Sequence, residues 1–327
     1  MGSYIIRRLA LGILTLWFVS VLSFVIIQLP PGDFVTTYIQ SLESSHLHMS
    51  LERAAALRAH FGLDQSVFVQ YFLWMGHLVW GDLGMSLDLN RPVLDVIKES
   101  LPLTVVVSIV SLIVAELIAL PIGIYSAVRQ YSILYNVFTF FAFVGLGVPD
   151  FLIALVILYV GFLVFHTNIG GLFSIDYVHA AWSWGKFFDL LKHLPIPIFI
   201  LGVLGVGSDI RIMRANLLDE LRKPYVVTAR AKGLSERRLL VKYPVRAALN
   251  PFVSDIGLLL PQIVSGTVIV SFVLGLPTLG PVFLHALLVE DMFLAGDIVL
   301  LLAALTIIGT LISDLMLAWV DPRIRYG

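Results

Sequence analysis

The run LTVVVSIVSLIVAELIALPIGIYSA (residues 103–127) contains a single charged residue, Glu116. A helix needs about 20 mostly apolar residues to cross about 30 Å of hydrocarbon, so this stretch reads as a membrane span. Five further segments meet the same test: 9–29, 136–165, 196–213, 252–274 and 298–320. The 136–165 segment is long and interrupted near Gly145, Gly147 and Pro149, which predicts a tilt or kink. The 196–213 segment is the weakest, because Pro195, Pro197, Gly202, Gly205 and Gly207 lower its helix propensity. Composition agrees: 59% of residues are hydrophobic, 13% are charged and mean hydropathy is +0.95, whereas soluble domains carry about 25% charge. The expected fold is an all-α membrane protein with about six transmembrane helices. Absence of cysteine excludes a disulfide framework, a thiolate metal site and a cysteine nucleophile.

Orientation follows from the loop cations. With the N-terminus inside, Arg7, Arg8, Arg129, the ten Lys and Arg between 211 and 246, Arg323 and Arg325 all face the cytoplasm, leaving six of the 21 outside. Both termini are therefore expected to be cytoplasmic. The first apolar stretch exceeds the 7–15 residues of a signal-peptide core, and Leu29-Pro30-Pro31-Gly32 offers no small-residue cleavage site. It reads as a retained anchor. The chain then divides into an N-terminal segment with the first helix (1–29), an extracytoplasmic loop with amphipathic helices (30–102) and a transmembrane core (103–327).

Within the long outer loop, SLERAAALRAHFGL (50–63) reads as a helix capped by Ser50, with Leu51, Ala54, Ala55 and Leu57 on one side and Gly62 as its stop. Val67 to Leu83 carries Phe68, Tyr71, Phe72, Trp74 and Trp80, an amphipathic stretch suited to headgroups or neighbouring spans. His166, His179 and His193 lack metal-ligand spacing and read as solvated loop residues. Further on, Gly275, Pro277, Gly280 and Pro281 predict a tight re-entrant-like turn before a short amphipathic helix. Irregular backbone at such depth is tolerated when buried in protein or lining a water-filled path.

Charges inside a span are costly and point to function by default. Glu116 lies mid-span, whereas Asp150, Asp209, Asp255 and Asp314 fall toward span ends or kinks. Glu116, Asp255, Gly275, Pro277 and Gly280 are the candidate pathway residues, on position alone. A helix-packing carboxyl is the competing reading of Glu116.

The segment PYVVTARAKGLSERRLLVKYPVRAALNP (224–251) interrupts the apolar pattern with clustered cations. Arg214 to Ala231 favours helix, broken once at Pro224. Gly233 supplies a permissive turn, and Ser235 can cap a second helix with Leu239, Leu240, Tyr243 and Ala247 on one face. The product is an elbow with basic flanks and small residues (Ala229, Ala231, Gly233) at its bend. Small residues let another protein approach the backbone, and the cations can steer an acidic partner. Proximity to anionic headgroups explains the charge but not the small residues. The segment contains no nucleic-acid recognition module.

The chain resembles the permease subunits of bacterial ABC importers, in the branch that handles dipeptides, oligopeptides and nickel. The resemblance runs through YIIRRLALGILTLWFVSVLSFVIIQLPPGD, FGLDQSVFVQYFLWMGHLVWGDLGMSL, RPVLDVI, TARAKGLSERR, FVLGLPTLGPVF and WVDPRIRYG, and so covers nearly the whole length. It implies that the elbow, at about 214–250, is the coupling (EAA) loop that seats in a groove of a cytosolic ATPase. Thr228, Ala229, Arg230, Ala231, Lys232, Gly233, Leu234, Ser235 and Arg237 would form the contact. Gly233 matches the motif's Gly and Ala229 its second Ala; Val227 and Thr228 replace its Glu and first Ala, as is usual in the peptide branch. Pro244, where Ala is expected, and Asp150, where Ser is expected, depart from the pattern. Implied partners are a second homologous permease, one or two ATPase subunits carrying ATP and Mg, an extracytoplasmic solute-binding protein and membrane lipid. The substrate implied is a peptide, nickel or an oligosaccharide.

The chain contains no G-x-x-x-x-G-K-[ST]; its one Gly-Lys pair, Gly185-Lys186, precedes Phe187 on an outer loop. It also lacks H-E-x-x-H and a nucleophile elbow. A transporter subunit without its own ATPase site, and with no cofactor or metal of its own, is therefore expected. The rival reading, a self-sufficient channel or secondary carrier, calls for inverted repeats with paired broken helices, which the sequence does not display. An intramembrane enzyme would need a catalytic partner for Glu116 at matching depth.

Overall fold

The computed structural model describes residues 2–29, 32–44, 49–166, 169–203, 205–253 and 268–320. These are mostly helical. Three helices are long and apolar enough to cross a membrane: α1 (Gly2–Ile27), α5 (Val93–Val128) and the last helix, α17 (Met292–Val320). Two bent pairs raise the total to five if each pair is one span. The predicted span at 252–274 lies mostly outside the described residues.

Between α1 and α5 the chain forms three shorter helices, α2 (Phe34–Ser44), α3 (Leu51–His60) and α4 (Val67–Val79). Ser50 caps α3 as predicted, its Oγ accepting from the Arg53 amide at 3.3 Å, and Gly62 past its end has φ +67°. The predicted apolar side is narrower than expected: Ala54 is buried, but Leu51 is 88% exposed. An ion pair fastens α3 to the start of α2, Arg58 Nε lying 2.7 Å from Asp33 Oδ2. Burial pushes the Asp33 carboxyl up, but hydrogen bonds from Arg58 and Thr36 outweigh it and hold the group below its usual range. Helix α4 divides its aromatics: Trp74 is buried against Phe24 of α1, while Phe68, Phe72 and Trp80 are exposed. Trp74 Nε1 donates to Asp297 Oδ1 of α17 at 2.9 Å. Headgroup-type exposure and packing on neighbouring helices thus coexist on one helix.

Helix α5 starts at Val93, ten residues before the apolar run. Its first turns pack Val93, Val96 and Ile97 against Leu294, Ala295 and Ile298 of α17. Tertiary burial extends the helix into a segment whose polarity reads as loop. The 136–165 segment becomes α6 (Ile133–Gly147) and α7 (Asp150–Phe165), which meet at 96°. Val148 is extended before Pro149, as the residue preceding proline tends to be. Asp150 stands in the first turn of α7, where a carboxylate favours the positive end of the helix dipole. That accounts physically for a residue that departs from the family pattern.

After α8 (Ile175–Val178), α9 (Trp184–His193) and α10 (Pro195–Ile198), a π-helical turn (Phe199–Val203) leads to α11 (Val206–Leu221), and the composite bends by 48°. The glycines that weaken this segment's helix propensity are packing devices. A Cβ on Gly202 would stand 2.6 Å from the Ser111 carbonyl oxygen of α5. One on Gly207 would stand 2.5 Å from the Ala142 carbonyl oxygen of α6. The π-helical turn and α11 therefore approach α5 and α6 backbone to backbone. At the opposite edge α1 lies along α17, with Arg8 Nη2 2.7 Å from Asp314 Oδ2 and the Tyr4 hydroxyl donating to the same oxygen at 2.6 Å.

Candidate functional site: the basic elbow

Three short helices follow α11: α12 (Pro224–Ala231), α13 (Glu236–Lys242) and α14 (Pro244–Ala248). Pro224 opens α12 at the first helical position, where its missing N–H costs nothing. Pro244 does the same for α14. The second elbow helix, expected to run unbroken from Ser235 through Leu249, is thereby split at Tyr243. Ser235 has the extended backbone of a cap, φ −64° and ψ 143°, but its side chain accepts no capping hydrogen bond. Gly233 adopts φ +76°, the left-handed conformation the turn demands.

The elbow has its own small core, in which Val226, Ala229 and Leu239 are buried with Leu234 and Tyr243 against them. Across the bend Arg230 grips Glu236 with two hydrogen bonds, Nε to Oε1 at 2.6 Å and Nη2 to Oε2 at 3.2 Å. That contact holds the Glu236 carboxyl below its usual range. At the root, Glu220 receives Lys223 Nζ at 2.5 Å and the Tyr225 hydroxyl. Burial, and then the hydrogen bond to Glu220 and its charge, push the Tyr225 phenol above its usual range. A second apolar cluster, Ala127, Met213, Leu217 and Ala248 with Leu240 and Val245 packed on it, fixes the elbow to the ends of α5 and α11. The elbow is thus braced internally and packed against the ends of α5 and α11.

The nine residues predicted for partner contact separate by burial. Thr228, Arg230, Ala231, Lys232, Gly233, Ser235 and Arg237 are exposed, whereas Ala229 is buried and Leu234 partly so. Thr228 turns its hydroxyl back to the Pro224 carbonyl at 2.9 Å. Nothing lies within 4 Å of a Cβ built on Gly233. Two apolar residues outside those nine are also exposed: Val227, at the motif's Glu position, is 56% exposed and Val241 68%. A groove of about 790 Å³ on the elbow is lined by residues that include Glu220, Tyr225, Tyr243, Lys232, Lys242 and Arg246. Exposed valines standing among cations were the available signal, hidden because a mixed apolar and basic pattern reads equally as an ordinary amphipathic helix.

The pathway candidates do not converge. Glu116 is half-buried on α5, its Oε2 buried without a hydrogen-bond partner, and Asp209 of α11 is its charged neighbour. Gly275 (φ +64°) and Pro277 form a turn after α15 (Val268–Val273), but Gly280 lies inside α16 (Leu279–Leu288) instead of in the turn. The Leu279 amide donates to Thr104 Oγ1 at 2.8 Å. Thr104 precedes Glu116 by twelve residues, about 18 Å of helix at 1.5 Å per residue, so the turn and the carboxylate occupy different depths. Asp255 lies outside the described residues. Among the described residues no three His, Asp or Glu side chains gather as a metal site.

Residues 119–326 match the family described as binding-protein-dependent transport system inner membrane component, and residues 1–108 match its N-terminal membrane component. The chain belongs to this family: it is the permease subunit of a binding-protein-dependent ABC importer and is not itself an enzyme. It is 34% identical over 328 residues, all of both chains, to the oligopeptide transport system permease protein AppB of Bacillus subtilis (strain 168). It is 30% identical over 343 residues to the dipeptide transport system permease protein DppB of Escherichia coli (strain K12), covering 100% of this chain and 99% of that one. The DppB of Lactococcus lactis subsp. cremoris (strain MG1363) is 29% identical over 327 residues, covering 99% and 100%.

Proposed function

We propose that this subunit forms half of a pathway importing short peptides and that the elbow at 214–250 is its joint with cytosolic ATPase subunits. The observation that carries this reading is the elbow itself. It combines an internal core, an Arg230–Glu236 clasp, a clamp onto α5 and α11, and an open, side-chain-free approach at Gly233. A rigid body of that kind passes a displacement to the spans as hinge motion, a two-state coupling between inward-open and outward-open arrangements. The 96° joint between α6 and α7 and the 48° joint before α11 are the places where such motion is absorbed. The peptide class is supported by relatives named for oligopeptides and dipeptides; nickel or an oligosaccharide would be handled by the same architecture with another binding protein.

In this reading six spans cross a bacterial or archaeal cytoplasmic membrane with both termini inside, and residues 30–102 face outward. A second homologous permease completes the pathway, one or two ATPase subunits supply the energy from ATP and Mg, and an external solute-binding protein delivers the substrate. No nucleic acid takes part. The test is a pull-down of the tagged chain from mild detergent with identification of every co-purifying protein. Recovery of a P-loop ATPase and a second homologous permease is expected. Recovery of the chain alone, stable and monodisperse, would favour a self-sufficient channel or carrier.

A further inference from the structure

A second cavity, of about 600 Å³, lies where the end of α5 meets the foot of α11 and the elbow helix α13. Its apolar lining includes Val128 at the end of α5, Leu218 in the last turn of α11 and Leu240 of α13. Its polar lining is basic. Arg129, Arg222 and Arg237 are exposed and, among the described residues, form no ion pair. The one carboxylate in the lining, Glu236, is already engaged by Arg230. Three uncommitted guanidinium groups therefore stand over an apolar floor at the ends of two candidate spans.

We infer that this cavity binds the headgroup of an anionic phospholipid, the guanidinium groups taking the phosphate and the leucine-lined floor taking the first methylenes. Guanidinium donors match phosphate oxygens in pairs, and basic pockets beside spans on the cytoplasmic side attract anionic lipid. An acidic protein segment would satisfy the arginines but has no need of the apolar floor. A free anion would not use it either. The site rests on α5 and α11 being spans that end at this surface; of its three free guanidinium groups only Arg237 is also among the nine residues proposed for ATPase contact, so Arg129 and Arg222 carry the test.

The purified full chain in mild detergent is titrated with phosphatidylglycerol or phosphatidylcholine, and bound lipid is counted by native mass spectrometry. Phosphatidylglycerol is expected to bind in preference. At about 1 kcal/mol per cation near an anionic surface, the doubly substituted Arg129→Gln/Arg222→Gln chain should bind it about thirty-fold more weakly. Arg238→Gln, whose side chain lines a different groove, should bind it as the parent does. Equal uptake of the two lipids, or an unchanged affinity in the double variant, overturns the assignment. So does displacement of the lipid by inorganic phosphate, which would make the cavity a free-anion site. Because the binding is read without nucleotide or partner, its failure leaves the ATPase-joint reading standing, and the pull-down above tests that separately.

Discussion

Gly233 offers the sharpest separation of folding from partner contact. Its φ of +76° lies in the left-handed region, where a residue with a Cβ costs about 1–2 kcal/mol. In the free chain an added Cβ meets nothing within 4 Å, so Gly233→Ala carries that backbone cost and no steric one. A complex that seats the bend closely fills the same space. Forcing an extra group into a packed contact costs about 1–3 kcal/mol, or roughly 5- to 150-fold in Kd. Asn tolerates the left-handed conformation, and Asp matches it in size, so Gly233→Asn against Gly233→Asp isolates the charge. All three variants should insert and stay monodisperse in detergent. Affinity for the cognate ATPase subunit, measured with the purified chains, should fall about ten-fold for Ala, further for Asn and furthest for Asp. Uptake of a labelled peptide by cells should fall in the same order. If Gly233→Asp binds the ATPase and supports uptake like the parent, the bend is not the joint.

Three other perturbations test the packing and electrostatics. Gly207→Ala drives a methyl against the Ala142 carbonyl and should lower stability by about 1–3 kcal/mol, seen as a reduced melting temperature in detergent. Gly76→Ala, in α4 with nothing within 4 Å, should instead raise it by about 0.5–1 kcal/mol; equal effects at the two sites would refute the close α6–α11 contact. Trp74→Phe deletes the donor to the buried Asp297 carboxylate, whose other oxygen already lacks a partner. A loss of about 1–3 kcal/mol is expected, and melting at the parent temperature would deny that the outer helix is anchored there. The Asp33 carboxyl is held below its usual range, so its contribution is complete above the unfolded pKa of about 3.9 and is lost as pH falls through the lower folded value. Proteolytic protection of the outer helices should therefore persist at pH 5 and weaken below about pH 4; Arg58→Gln should be less protected already at pH 7.

What could be read from the sequence was decided by local chemistry. The apolar run around Glu116, the Ser50 cap and the Gly233 turn each depend on local residue type, and each stands in the structure where expected. The start of α5 did not announce itself, because Val93, Val96 and Ile97 become core only when α17 covers them. Pro244 was legible as a departure, but its role in opening α14 depends on where α13 stops. The glycines at 202 and 207 read as helix weakeners, since propensity is local and their carbonyl neighbours are 91 and 65 residues away in sequence. Trp74 and Asp297, 223 residues apart, carried no sequence signal of pairing. In the elbow, the exposure of Val227 and Val241 was not legible because one sequence cannot say which apolar residues a short helix leaves uncovered.

The chain has no cysteine, which permits a direct test of the coupling claim. Ser235→Cys, exposed on the elbow, and Ile175→Cys, exposed on the loop assigned to the outside, are each made alone and treated with a short thiol-to-amine cross-linker in membranes containing the ATPase subunits. The account predicts a permease–ATPase adduct from position 235 and none from position 175. An adduct from 175 but not from 235 would contradict it.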